Sequence, residues 1–254
     1  MLMLISPAKS LDYASPLPTG HHTQPQYLKQ SKTLVKLLKP MAPAELSALM
    51  EISDELAVLN AGRYHGWKPP FTPDNARAAV FAFNGDVYEG LDAYSLDDSE
   101  RQYLERHLRI LSGLYGLLQP FDLIQPYRLE MGTRLANEHG KDLYAFWGET
   151  LAKAVNKQAD KVVVNLASDE YFKSVGARRV KHRLVTPVFE DWKGDRYKII
   201  SFYAKRARGL MVRYAAQRGL TEVDELKAFD LDGYRYVADA SNTDTWVFRR
   251  RMAD

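Results

Sequence analysis

Residues 1–5, MLMLI, are an unbroken apolar run closed by Ser6-Pro7, which predicts a short buried strand; an irregular Pro-rich stretch follows to about Pro25. From Pro25 to Leu38 and from Pro43 to Gly66 the spacing turns helical. Pro stands in first-turn positions, Leu34, Leu37 and Leu38 follow the first, and Ser53 with Asp54 and Glu55 opens a stretch carrying Leu56, Ala57 and Leu59. Residues 78–83 predict a strand ended by an Asn84-Gly85 turn. Asp97 or Ser99 is placed to cap a helix with Leu104, Leu108 and Leu111 on one face. Strand-like pieces follow at 114–118 and 122–129, then a helix from about Phe146. KVVVNLA (161–167) reads as a buried strand, with Ser168 as the cap of a short helix reaching Val175 before Gly176. Residues 180–192 and 196–200 predict a hairpin about Lys193-Gly194-Asp195, and the next stretch a helix to about Arg218 that Gly219 stops. Thr221 with Asp224 makes a capping box, and 234–238 and 246–250 read as closing strands. Strand, cap and helix in succession beside hairpins predict a mixed α/β (α+β) fold, a mixed sheet with surrounding helices. No repeat, linker or low-complexity segment divides it, so one domain over 1–254 is expected.

With 254 residues, 46% of them hydrophobic, the chain has material for a sizeable core. The formal net charge of +3 decides little, but its distribution decides more. Residues 171–218 hold 13 Lys or Arg against 3 acids, leaving 22 basic and 29 acidic residues elsewhere. Such a concentration predicts a field directed at an anionic partner. It centres on SFYAKRARGLMVRY (201–214), which contains Lys205, Arg206, Arg208 and Arg213 and no carboxylate. On a helical wheel Tyr203, Ala207, Leu210, Met211 and Tyr214 share one arc, and the four cations fill the opposite half together with Gly209 and Ala216. The expectation is an amphipathic helix with a basic outer side, where Gly209 lets a phosphate backbone come close. Arg178, Arg179, Lys181 and Arg183 lie just upstream, and on a strand only alternate members would share a face.

ISPAKS places Ser6 and Lys9 in a loop directly after a strand, a usual ligand position in α/β proteins. It matches S-x-x-K, but no K-T-G accompanies it and Pro7 does not suit the helix start the nucleophile motif needs. Lys9 is therefore expected to contact an anion rather than act as a base. LSGLYGLLQP holds Gly113 and Gly116 in the manner of the phosphate-binding hairpin of helix-hairpin-helix elements, with two intervening residues where one is usual; a tight helix-to-strand turn is the alternative. His21-His22 lacks ligand spacing on a rigid element, and Asp169 and Glu170 suit the start of their helix better than a Mg²⁺ site, so no metal and no cofactor are expected. Without cysteine the chain has no disulfide, thiolate nucleophile or Cys-ligated cluster. The apolar start is too short for a signal-peptide core or a bilayer span, and a cytoplasmic location is expected.

ISPAKSLD (5–12), FNGDVYEGL (83–91), LSGLYGLLQPFDLIQPYRLEMG (111–132), LYAFW (143–147), VNLASDEYFKSV (164–175) and KRARGLMVRY (205–214) together resemble the YaaA family of bacterial proteins (UPF0246, DUF328) nearly end to end. The resemblance implies a role in the response to hydrogen peroxide stress, limiting damage from intracellular iron. It also implies DNA binding through a positively charged cleft, and a mixed α/β fold peculiar to the family with a helix-hairpin-helix-like element. The missing cysteines exclude thiol peroxidase chemistry, so protection by binding is the expectation rather than peroxide destruction. The expected DNA contacts are Lys205, Arg206, Arg208, Gly209 and Arg213, with Lys9, Arg128, Lys173, Arg178 and Arg179 contributing and duplex or branched DNA as the partner. Two alternatives are kept: an enzyme acting on a nucleic-acid end or a phosphorylated small molecule, and an iron-binding protein.

Overall fold

The computed structural model describes residues 1–251. The opening apolar run forms β1 (Leu2–Ile5), buried along its whole length, and a short strand β2 (Ser10–Leu11) follows. Three helices come next: α1 (Leu28–Leu38), α2 (Pro43–Met50) and α3 (Asp54–Gly66), where the Ser53 side chain accepts from Leu56 N at 3.4 Å as the sequence predicts. The expected strand at 78–83 is instead a helical turn, α4 (Ala79–Ala82), between β3 (Arg77–Ala78) and β4 (Phe83–Asn84); Asn84-Gly85 then leads into α5 (Asp86–Leu91) rather than closing a hairpin.

Asp97 caps α6 (Asp98–His107), accepting from Glu100 N at 2.9 Å. The helix stops at His107, and Leu108 and Leu111 belong to β5 (Leu108–Ser112), buried throughout. A Leu spacing of three to four suits a helix, but a run buried on both faces suits a parallel strand equally, and pairing with β1 decides it. The chain continues through β6 (Gly116–Leu118), β7 (Leu123–Ile124), α7 (Leu143–Trp147), α8 (Thr150–Gln158) and β8 (Val162–Leu166). α9 (Asp169–Phe172) precedes β9 (Arg183–Lys193), where buried and half-buried positions alternate, and β10 (Arg196–Lys198) completes the expected hairpin. α10 (Ser201–Arg218) ends at Gly219, whose φ of 60° is the left-handed conformation glycine adopts freely. The capping box beyond it uses Glu222 and Glu225 rather than Thr221 and Asp224, and β11 (Arg235–Tyr236) and β12 (Thr245–Arg250) close the chain's main sheet.

That sheet has eight strands in the order β11-β12-β9-β8-β1-β5-β6, with β10 paired to β9. The five strands from β12 to β5 run parallel, and β11, β6 and β10 join antiparallel. The fold is mixed α/β as expected, with one hydrophobic cluster running from β1 to β12. β1 lies inside the sheet between β5 and β8, with Met3 between Leu108 and Val164 in register.

α10 does not have the one-sided character that the wheel suggests. Gly209, Val212 and Ala216 are buried along with Ala207, Leu210, Met211 and Tyr214, because α5 covers one flank of the helix and β9 another. A Cβ on Gly209 would collide with the Val87 carbonyl, and one on Gly90 with the Arg206 carbonyl. The two glycines let α5 and α10 touch backbone to backbone. Gly209 therefore serves helix packing and is not the floor of a phosphate site.

Candidate functional site

The order of the strands locates a crevice before any side chain is considered. From β1 the chain moves through β5 and β6 to one side, then returns to β8 on the other flank of β1 and proceeds outward to β9 and β12. The carboxyl ends of β1 and β8 therefore diverge at a switch point, where open parallel sheets bind ligands. Ser6 follows β1 and Ser168 follows β8. Ser168 N donates to Ser6 Oγ at 2.9 Å, Ser6 Oγ donates to Ser168 Oγ at 3.3 Å, and Tyr88 Oη donates to Ser6 O at 3.0 Å. Ser168 makes no side-chain cap on α9, contrary to the sequence reading, because its backbone is tied across the switch point.

A cleft of about 400 Å³ opens over this pair, within the size range of small-ligand sites. Residues 6–10 and 84–88 form part of its lining, Glu130 and Glu170 reach it from separate segments, and α10 contributes Lys205 and Arg208. Burial pushes the phenols of Tyr88 and Tyr171 well above their ordinary pKa, so both line the cleft as neutral groups. Burial also draws the Arg208 guanidinium below its ordinary value, with Asp169 opposing the shift.

The basic residues singled out in the sequence divide sharply by what they touch. Lys9 lines the cleft, but its Nζ lies 2.7 Å from Glu130 Oε1; Arg128 Nη2 approaches the same carboxylate at 3.1 Å. Lys9 is thus turned to Glu130, and among the described residues no hydrogen bond joins it to Ser6. Arg206 faces Asp232 at 3.6 Å. Arg213 Nη1 donates to Asp92 O at 3.0 Å and Ser95 Oγ at 2.9 Å, and fastens the end of α5. Lys173 lies 4.5 Å over the Tyr144 ring, and Arg179 Nη1 donates to Gly148 O at 2.8 Å. Arg178 is exposed, and neither it nor Lys173 nor Arg179 lines the cleft. Lys205 and Arg208 remain. Both line the cleft, and among the described residues neither has an ion pair or a side-chain hydrogen bond.

Gly113 lies in the turn between β5 and β6 and Gly116 opens β6, so the element is strand-turn-strand rather than helix-hairpin-helix. Gly113 O accepts from Trp147 Nε1 at 3.0 Å, and Gly116, at φ 72°, lies under the same indole. Both glycines are buried, Gly116 against the indole and Gly113 against the Leu129 carbonyl. His21 pairs with Glu105 at 3.0 Å and His22 Nδ1 with its neighbouring Gly20 O at 2.9 Å; among the described residues no three His, Asp or Glu side chains gather as metal ligands. Sequence reasoning missed Asp86, Glu130 and Ser168 as cleft residues. The Asn84-Gly85 turn signal immediately before Asp86 was the available clue, although it suggests only a loop.

The model of the family described as "Peroxide stress protein YaaA" matches residues 1–240. The chain belongs to this family. It is 57% identical over 256 residues to a UPF0246 protein of Janthinobacterium sp. (strain Marseille), covering 99% of both chains. It is 58% identical over 260 residues to UPF0246 protein azo1887 of Azoarcus sp. (strain BH72), covering 99% of this chain and all of that one. With UPF0246 protein RSc2009 of Ralstonia nicotianae it shares 57% identity over 257 residues and the full length of both. Membership in a family of peroxide stress proteins supports a role in the response to peroxide. No helix among the described residues is long and apolar enough to cross a membrane.

Proposed function

We propose that the chain serves the peroxide stress response as a cytoplasmic DNA-binding protein that holds backbone phosphate in the switch-point cleft. The carrying observation is the pair Lys205 and Arg208, two cleft cations left without partners while Arg206 and Arg213 on the same helix are occupied. A half-buried guanidinium is costly to leave unmatched, and its planar donor fork suits a phosphate. Asp86, Glu130 and Glu170 line the same cleft, so it is no uniformly positive trough. Binding is therefore local and weakly sequence-selective. Protein cations on DNA displace condensed counterions, and ferrous iron held at the phosphates would be displaced with them, which connects binding to protection from iron.

The test is fluorescence anisotropy with duplex, single-stranded and branched DNA, comparing wild type with a Lys205→Glu, Arg208→Glu variant. A loss of about tenfold or more is expected for the double variant, and little change for Arg206→Ala, which is already paired to Asp232. Unchanged binding in the double variant would remove the cleft from the account.

A second reading is favoured by the Ser6–Ser168 hydroxyl pair with Glu130, Glu170 and Asp86 in one cleft: an enzyme acting on a nucleic-acid end or a phosphorylated small molecule. It predicts product from end-labelled DNA, with loss of that product in Ser6→Ala.

A further inference from the structure

Beside the cleft, the β9–β10 hairpin and the first turn of α10 form a second surface. Phe202 is 54% exposed, a large aromatic side chain at the surface of a helix whose other aromatic residues are covered or half-covered. The helical wheel puts Tyr203 and Tyr214 in the apolar arc, and they are half-buried and buried, whereas Phe202 stands outside that arc. Phe202, whose ring lies 4.0 Å from that of Tyr203, lines a groove of about 250 Å³ together with Trp192, Lys193 and Ile200. Trp192 also packs against the Tyr197 ring at 4.9 Å and against Arg251, whose guanidinium lies 4.8 Å from the indole. Asp191 also borders the groove, but its carboxylate is buried and committed to Arg250 Nε at 2.6 Å and to the Tyr234 hydroxyl at 2.8 Å.

The free charge at this groove is positive. Lys193 lines it and Lys205 is one turn along α10 from Phe202, and among the described residues neither has an ion pair. Asp195 in the hairpin turn is the nearby carboxylate in sequence that stays exposed. Two aromatic walls with surrounding unpaired cations suit an unstacked base with its adjoining phosphates, which gain from stacking and from charge together. Phe202, Lys205 and Arg208 follow one another at three-residue intervals and form a stripe along α10 from the groove to the switch-point cleft.

We propose that the groove between Trp192 and Phe202 is a base-stacking slot for single-stranded nucleic acid, positioned so that phosphates next to the stacked base reach Lys205 and Arg208. This proposal rests on the DNA-binding reading of the cleft and adds the strand form it prefers.

The test compares fluorescein-labelled dT15, rU15 and a DNA hairpin duplex on wild type and Phe202→Ala by anisotropy, with far-UV circular dichroism as the check on folding. Phe202→Ala is expected to weaken dT15 about tenfold and to leave duplex affinity within twofold. A parallel loss for rU15 makes the slot common to both nucleic acids, and no rU15 binding in wild type makes it specific to DNA. Trp192 is half-buried while Trp67, Trp147 and Trp246 are buried, so dT15 should quench tryptophan emission in wild type and not in Trp192→Phe. Wild type that binds dT15 and duplex, with Phe202→Ala equal to it on both, overturns the slot and leaves the phosphate cleft standing. Equal losses on both ligands overturn it too, and wild type that binds no nucleic acid removes both proposals.

Discussion

Asp122 shows how a single side chain sets a property of the whole chain. It is buried, accepts from Thr23 Oγ1 at 2.7 Å and from Gln119 N at 2.8 Å, and burial pushes its pKa up to about 6 against these hydrogen bonds. The native state therefore holds this proton more tightly than the unfolded chain does. Its contribution to stability is greatest below about pH 4 and falls as the pH rises to about 6, by about 3 kcal/mol in all. The Asp122→Asn substitution removes this titration. The stability of wild type minus that of Asp122→Asn, from urea unfolding, is expected to fall by about 2 kcal/mol between pH 4 and pH 7, and a flat difference would contradict the assignment. Lys9 gives the same lesson about context from the other direction: its place after β1 is legible in the sequence, whereas its pairing with Glu130 depends on a residue far along the chain.

At the scale of elements, the contact between α5 and α10 carries the clearest prediction. Gly209→Ala puts a methyl group into the Val87 carbonyl, where backbone rather than a flexible side chain must yield. A destabilisation of about 3 kcal/mol or more is expected in thermal or urea unfolding. A merely phosphate-facing glycine would gain helix propensity from the same change, by about 1 kcal/mol. β1 and β8 were legible because strands buried on both faces are continuous apolar runs, and α10 was legible in extent because Gly219 ends it. The sides of α10 were not. A wheel sorts residues by angle and cannot tell a glycine that admits a ligand from one that admits another helix, so Gly209 and Ala216 were grouped with the arginines. Gly113 and Gly116 failed in a similar way, since paired glycines serve a phosphate hairpin and a turn under Trp147 equally well.

For the molecule as a whole, the strand order does what no local pattern could: it brings Ser6 and Ser168 together and opens a cleft where β1 and β8 part. The basic excess of residues 171–218 was visible as composition, yet folding commits much of it to Asp92, Asp224, Asp232, the Gly148 carbonyl and the rings of Tyr144 and Tyr214. What is left at the cleft is small in number and specific in place. Lys205 and Arg208 are the part of the excess that lines the cleft without an ion pair among the described residues, and the proposal above assigns them to phosphate.

The most direct test of this claim is the salt dependence of duplex binding by wild type and by Lys205→Ala, Arg208→Ala. Each phosphate contact contributes about 0.9 to the slope of log K against log salt, so the variant's slope should be shallower by about 2. Equal slopes in the two proteins would contradict the assignment of these cations to DNA phosphate.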